Sequence, residues 1–126
     1  MAKQGSRVLV VDDDSVLRNA IGRMLTAASF IVEKASDGAE MLDRVTAGES
    51  FDFILMDLEM PRMDGRAALA RLQQIAPELA KRTLIMTGGS SVLELQTWIE
   101  SLGPGRVLFK PFSPRLLEEM LADLVA

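Results

Sequence analysis

The chain has no cysteine and no histidine in its 126 residues. Without cysteine it can build neither a disulfide framework nor a thiolate site, and without histidine it lacks the commonest general base and metal ligand. Any chemistry must rest on carboxylates, hydroxyls, lysine or the backbone. Long apolar runs are missing too: the longest are far too short to span a bilayer, and Met1-Ala2-Lys3-Gln4-Gly5-Ser6-Arg7 has no apolar signal core behind it. No membrane insertion is expected, and the chain reads as cytoplasmic. There is no basic run either. Lys and Arg number 14 against 18 Asp and Glu, a net charge of −4, so direct nucleic acid binding is not expected.

What is present is one domain's worth of sequence, 48% apolar and 25% charged, the balance of a globular protein with a real core. No repeat, low-complexity tract or linker interrupts it, so residues 1–126 are expected to form a single domain. Its centre is Phe53-Ile54-Leu55-Met56-Asp57-Leu58-Glu59-Met60-Pro61-Arg62-Met63-Asp64-Gly65. Four apolar residues, the mark of a buried parallel strand, end in a carboxylate, and a Pro and an Asp-Gly follow at once. Asp57 is thereby placed at the carboxyl end of a strand, where open α/β sheets form their ligand crevice. A lone Asp there would read as a turn residue; its partners elsewhere in the chain change that.

Arg7 to Val11 reads as a strand running into Asp12-Asp13-Asp14, with a helix behind it carrying Leu17, Ala20, Ile21, Met24, Leu25 and Ala28 at helical spacing and capped by Asp14 or Ser15. Phe30 to Val32 gives a second strand, and a helix with Ala39, Leu42 and Val45 closes near Gly48. The Asp57 strand is third. A helix through Ala68, Leu69, Leu72 and Ile75 follows, capped by Asp64, with Pro77 beyond its end. Thr83 to Met86 is the fourth strand, stopping at Thr87-Gly88-Gly89. A fourth helix runs from about Val92 to Leu102, Arg106 to Phe109 is the fifth strand, and Lys110-Pro111 stands at its end. Ser113 caps the last helix, with Pro114 in its first turn and Leu116, Leu117, Met120, Leu121, Leu124 and Val125 as its stripe. Five strands alternating with five helices predict an α/β fold with a parallel sheet covered on both faces.

In a parallel sheet the strand ends meet on one rim, which gathers Asp12, Asp13, Asp57, Thr87 and Lys110. Three carboxylates within ~4 Å of one another repel by about 1 kcal/mol per pair even in bulk water. An oxygen-only cluster suits a hard divalent cation, and a small pocket with few protein ligands suits Mg²⁺ retaining several waters. Metal, the Lys110 ammonium and the Thr87 hydroxyl are the parts needed to stabilise the oxygens of a transferring phosphoryl group. The nucleophile would be a carboxylate oxygen, giving an acyl phosphate.

With these residues in view, the chain from Val8 to Val125 resembles the receiver domains of two-component response regulators. The family's paired acids match Asp12 and Asp13, its phosphoacceptor Asp57, its Met-Asp-Gly Met63-Asp64-Gly65, its hydroxyl residue Thr87, and its Lys-Pro-Phe Lys110-Pro111-Phe112. The resemblance implies a flavodoxin-like, doubly wound sheet in the order 2-1-3-4-5. It also implies Mg²⁺ held by Asp13, Asp57 and the backbone carbonyl of Glu59, with Asp12 acting through water, and Thr87 and Lys110 holding phosphoryl oxygens. A cis Lys110-Pro111 bond is implied as well. The donor would be a phosphohistidine on a sensor histidine kinase or histidine phosphotransfer protein, and the chain a stand-alone regulator or the receiver of a hybrid kinase. It would turn over no external substrate beyond its own phosphorylation and slow dephosphorylation. Readout is expected through the fourth helix, fifth strand and fifth helix, with Leu93 and Trp98 on a docking or self-association face.

Two departures stand out. Val107 occupies the place of the family's usual aromatic switch residue, and Glu59 adds an acid two residues past the acceptor. The alternatives are a degenerate receiver serving as a scaffold, an aspartate-nucleophile phosphatase of the haloacid dehalogenase type, and a flavodoxin-like nucleotide or flavin binder. The phosphatase would want an Asp where Glu59 stands. The binder would want a Gly-rich or hydroxyl-rich phosphate loop where three acids stand. Arg62, Arg66 and Arg71 read as a solvated face.

Overall fold

A computed structural model describes residues 5–88 and 94–124. Strands β1 (Arg7–Val11), β2 (Ile31–Ala35), β3 (Phe53–Asp57), β4 (Thr83–Thr87) and β5 (Val107–Phe109) pair in parallel in the order β2-β1-β3-β4-β5. Helices α1 (Ser15–Ala27), α2 (Gly38–Thr46), α3 (Gly65–Ile75), α4 (Pro77–Lys81), α5 (Gln96–Leu102) and α6 (Pro114–Asp123) connect or follow them. The doubly wound order is the one expected. Because β1 lies between β2 and β3, the chain reverses its direction of travel there, and the crevice at such a switch point opens beside Asp12 and Asp57.

Alternation along the strands sorts the core into two layers. Val8, Val10, Phe53, Leu55, Leu84, Met86 and Leu108 face α1 and α6, meeting Ile21, Leu25, Leu117 and Leu121. Leu9, Val11, Ile54, Met56 and Ile85 face the other side and meet Met41, Leu69, Leu72 and Leu79. Burying each such side chain contributes about 1.5–3 kcal/mol, which explains why the three central strands are apolar on both faces. Local signals set the helix starts. Asp14 accepts from the Val16 and Leu17 N–H groups, Asp37 from Glu40, Asp64 from Ala67 and Ser113 from Leu116, each satisfying orphan donors of a first turn. Gly48, at φ 93°, follows the C-cap of α2.

Several boundaries differ from expectation: β2 starts at Ile31 rather than Phe30, β4 ends at Thr87 rather than Met86, and β5 starts at Val107 rather than Arg106. Strand β2 runs to Ala35, beyond Val32, because an edge strand tolerates Glu33 and Lys34 where a central one would not. Pro77 does not merely stand past a helix: it opens α4, a sixth helix that buries Leu79 and Ala80. The described part of the helix expected from Val92 begins at Gln96; Val92 and Leu93 lie outside the described residues, as does Val125. Trp98, expected on a docking or self-association face, is half-buried and packs with Leu95, Leu102 and Val107 against the core.

Candidate functional site

The alternation that builds the α1/α6 layer also builds the site. Counting by twos, Val8 and Val10 lead to Asp12, Phe53 and Leu55 to Asp57, and Leu108 to Lys110. All three side chains therefore emerge on one side of the sheet. Backbone bonds carry the ladder past the strand ends: Asp12 N–H donates to Ala35 O at 3.2 Å, Leu58 N–H to Met86 O at 2.8 Å, and Lys110 N–H to Thr87 O at 2.8 Å. The Lys110-Pro111 bond is cis.

Asp12 is fully buried and Asp57 4% exposed, whereas Asp13 is exposed. Each offers an oxygen within 4.8 Å of the others. The Lys110 ammonium donates to Asp57 Oδ1 at 3.1 Å and to Asp12 Oδ2 at 3.5 Å. Asp12 Oδ1 accepts from the Asp14 N–H at 3.0 Å, and the Asp12 carbonyl from the Arg18 guanidinium at 2.7 Å. Both Asp12 carboxylate oxygens are thus already engaged. Burial pushes the Asp57 carboxyl up to about 6, and the Asp12 charge adds to that against the opposing pull of Lys110. Burial alone would lower the Lys110 ammonium, but its bond to Asp57 and the charges of Asp57 and Asp12 outweigh burial and raise it. One lysine does not offset three acids at this range. The cluster has the donor set of a hard-cation site: oxygen atoms only, excess negative charge and one partner open to water.

Gly65 explains the Met-Asp-Gly stretch. A Cβ there would lie 2.7 Å from the Asp57 carbonyl and 2.9 Å from Leu58 Cα, so only glycine lets α3 start against the end of β3. Its N–H donates to Leu58 O at 2.9 Å, and Asp64 caps the helix. Arg62, Arg66 and Arg71 are exposed, in keeping with a solvated face.

Thr87 is fully buried at the end of β4. Its hydroxyl donates to the Glu59 carboxylate, with oxygen separations of 3.1 and 3.0 Å, and the Gly88 N–H donates to Glu59 Oε1 at 3.0 Å. In the sequence Glu59 reads as an extra acid with a role only for its carbonyl, and nothing local signals this side-chain contact across 28 residues. Arg18, which bonds the Asp12 carbonyl, has as its only sequence signal a position one helical turn beyond the acids. Val107 is half-buried against the core, as is Trp98.

Comparison with known proteins agrees with the geometry. The family model described as "Response regulator receiver domain" matches residues 8–122. Response regulator MprA of Mycobacterium avium (strain 104) is 37% identical over 120 residues, covering 95% of this chain and 50% of its own length. The chain spans about half the length of the curated relatives it matches. Among solved structures, a receiver domain protein from Clostridium thermocellum superposes with a TM-score of 0.83 at 26% identity, covering 95% of this chain and 94% of that one. Chemotaxis response regulator CheY4 of Vibrio cholerae gives 0.75 at 29% identity, covering 96% and 99%.

Proposed function

The chain belongs to the response regulator receiver family, and from that premise we propose that it is an active phosphoryl-accepting domain, with Asp57 as acceptor. The observation that carries the reading is the rim cluster, in which Lys110 Nζ stands 3.1 Å from Asp57 Oδ1 and the Asp12, Asp13 and Asp57 oxygens lie within 4.8 Å. A carboxylate oxygen of Asp57 attacks phosphorus, the bond to the donor's imidazole nitrogen breaks, and the imidazole leaves with a proton. Lys110 and Thr87 supply the positive charge and hydroxyl that hold phosphoryl oxygens as charge moves onto them. Asp13, Asp57 and the Glu59 carbonyl would hold Mg²⁺, with Asp12 acting through water in keeping with its engaged oxygens. Bound there, the ion supplies the charge that brings an anionic donor up to three carboxylates.

The donor is a phosphohistidine on a sensor histidine kinase or phosphotransfer protein, and residues 1–126 act as a single receiver in the cytoplasm, without binding nucleic acid directly. Self-association and readout through α5, β5 and α6 complete the reading, supported by the exposure of Phe109 and Leu116 on the last two. The test is intact-mass spectrometry after incubation with phosphoramidate, with and without Mg²⁺, beside Asp57→Asn. A metal-dependent gain of one phosphoryl group, absent from the variant, is expected. No gain in a folded, metal-binding protein would favour a scaffold instead.

A further inference from the structure

Glu59 is tied down by Thr87, the hydroxyl that the receiver reading gives to a phosphoryl group on Asp57, and by the neighbouring Gly88 N–H. Its two carboxylate oxygens share the single Thr87 hydroxyl proton at 3.1 and 3.0 Å, and Oε1 takes the Gly88 N–H at 3.0 Å. Thr87 is buried at the end of β4, and its hydroxyl serves either the Glu59 carboxylate or a phosphoryl oxygen at any one time. A hydroxyl has one proton to donate. Carboxylate and phosphoryl oxygens are alike as anionic acceptors, and each draws a strong charge-assisted bond from such donors. Glu59 is itself only half-buried, so its side chain has solvent beside it to move into.

We propose that the Glu59 carboxylate is an internal stand-in for the phosphoryl group, occupying the Thr87–Gly88 donors in the unphosphorylated protein and competing with the incoming phosphoryl oxygens for them. The proposal rests on the receiver reading above. Phosphorylation then requires Glu59 to swing out, so the site carries a built-in threshold against adventitious anions and small donors. The same displacement marks the phosphorylated state on the surface beside β4, without an aromatic residue at Val107. The backbone carbonyl of Glu59, the part assigned to the metal, is untouched by a change of side chain.

The experiment titrates wild type, Glu59→Ala and Glu59→Gln with beryllofluoride in the presence of Mg²⁺, reading affinity by fluorine NMR and the Gly88 amide by nitrogen-15 NMR. Glu59→Ala is expected to bind beryllofluoride about tenfold more tightly, the effect of one charge-assisted hydrogen bond no longer in competition. Its Gly88 amide proton should move upfield before any anion is added. Glu59→Gln, which keeps the acceptor oxygen and loses the charge, should fall between the two. Unchanged affinity in Glu59→Ala would overturn the proposal, and equal gains in both variants would overturn it in favour of simple charge repulsion. If no form binds beryllofluoride although Mg²⁺ binds and the spectra are those of folded proteins, the receiver reading falls and takes the proposal with it.

Discussion

At the amino ends of the strands, arginines meet acceptors in near balance; at the carboxyl ends, acids are crowded together against one lysine. Arg82, just before β4, donates to Asp52 O at 2.7 Å, and Arg106, just before β5, donates to Thr83 O at 3.1 Å and Ala80 O at 2.8 Å. Arg44 bonds Glu49, Glu33 and the Lys34 carbonyl, and its guanidinium and that of Arg7 lie 5.6 and 5.3 Å from the centre of the Phe51 ring. Asp12, Asp13 and Asp57 have no such balance. One end is closed by paired charges, and the other carries an excess of negative charge. The paired charges and the acid cluster are thus separated along the length of the same sheet.

The largest expected effect comes from breaking the carboxyl end by sterics alone. Gly65→Ala puts a methyl group 2.7 Å from the Asp57 carbonyl, a backbone atom that cannot step aside. A loss of about 3 kcal/mol is expected in urea unfolding, along with slower phosphorylation, because α3 and the end of β3 must part. Asp57→Asn works in the opposite direction. The folded protein holds the Asp57 proton up to about pH 6, above the ordinary carboxylate value of 3.8 in the unfolded chain. Folding takes up a proton in that window, and the Asp57 contribution to stability falls as pH rises through it. Without metal, Asp57→Asn should therefore be more stable than wild type by about 2–3 kcal/mol at pH 8. The gain should shrink as pH falls through about 6 and vanish below about 4. A variant less stable than wild type at pH 8 would show that Lys110 already neutralises the cluster.

Much of this contrast was legible in the chain because its signals are local. An apolar strand ending in an acid, a cap three residues before a bonded N–H, and a two-residue alternation are all short-range patterns, and they locate Asp12, Asp57 and Lys110 on one rim. Alternation even separates Asp12, which continues the buried row, from Asp13, which turns outward. The bond between Glu59 and Thr87 was not legible. It joins residues 28 apart in the chain, and it depends on the register that sets Asp57 beside Met86, which no periodicity specifies. Helix α4, with five residues, is too short to show a helical period. The extension of β2 is carried by Glu33 and Lys34, whose polarity hides a strand until its edge position is known.

The smallest expected effect tests the amino end. Arg44→Met keeps an apolar stem over Phe51 and removes the bonds to Glu49, Glu33 and the Lys34 carbonyl, so a loss of about 1 kcal/mol is expected. Phosphorylation of Asp57 should be unchanged. The pH dependence carries the sharper information. Its bond to Arg44 holds the Glu49 carboxyl below the usual carboxylate value. That contribution is present above the unfolded-chain value and is lost as pH falls through the lower folded one. Acid therefore loosens the amino end in the range below ordinary carboxylate titration, whereas it relieves the carboxyl end between about pH 6 and 4. Arg44→Met should flatten the acid limb of the stability curve and leave the Asp57 window intact, and Asp57→Asn should do the reverse. If Arg44→Met altered the window near pH 6, the two ends would be coupled through the sheet.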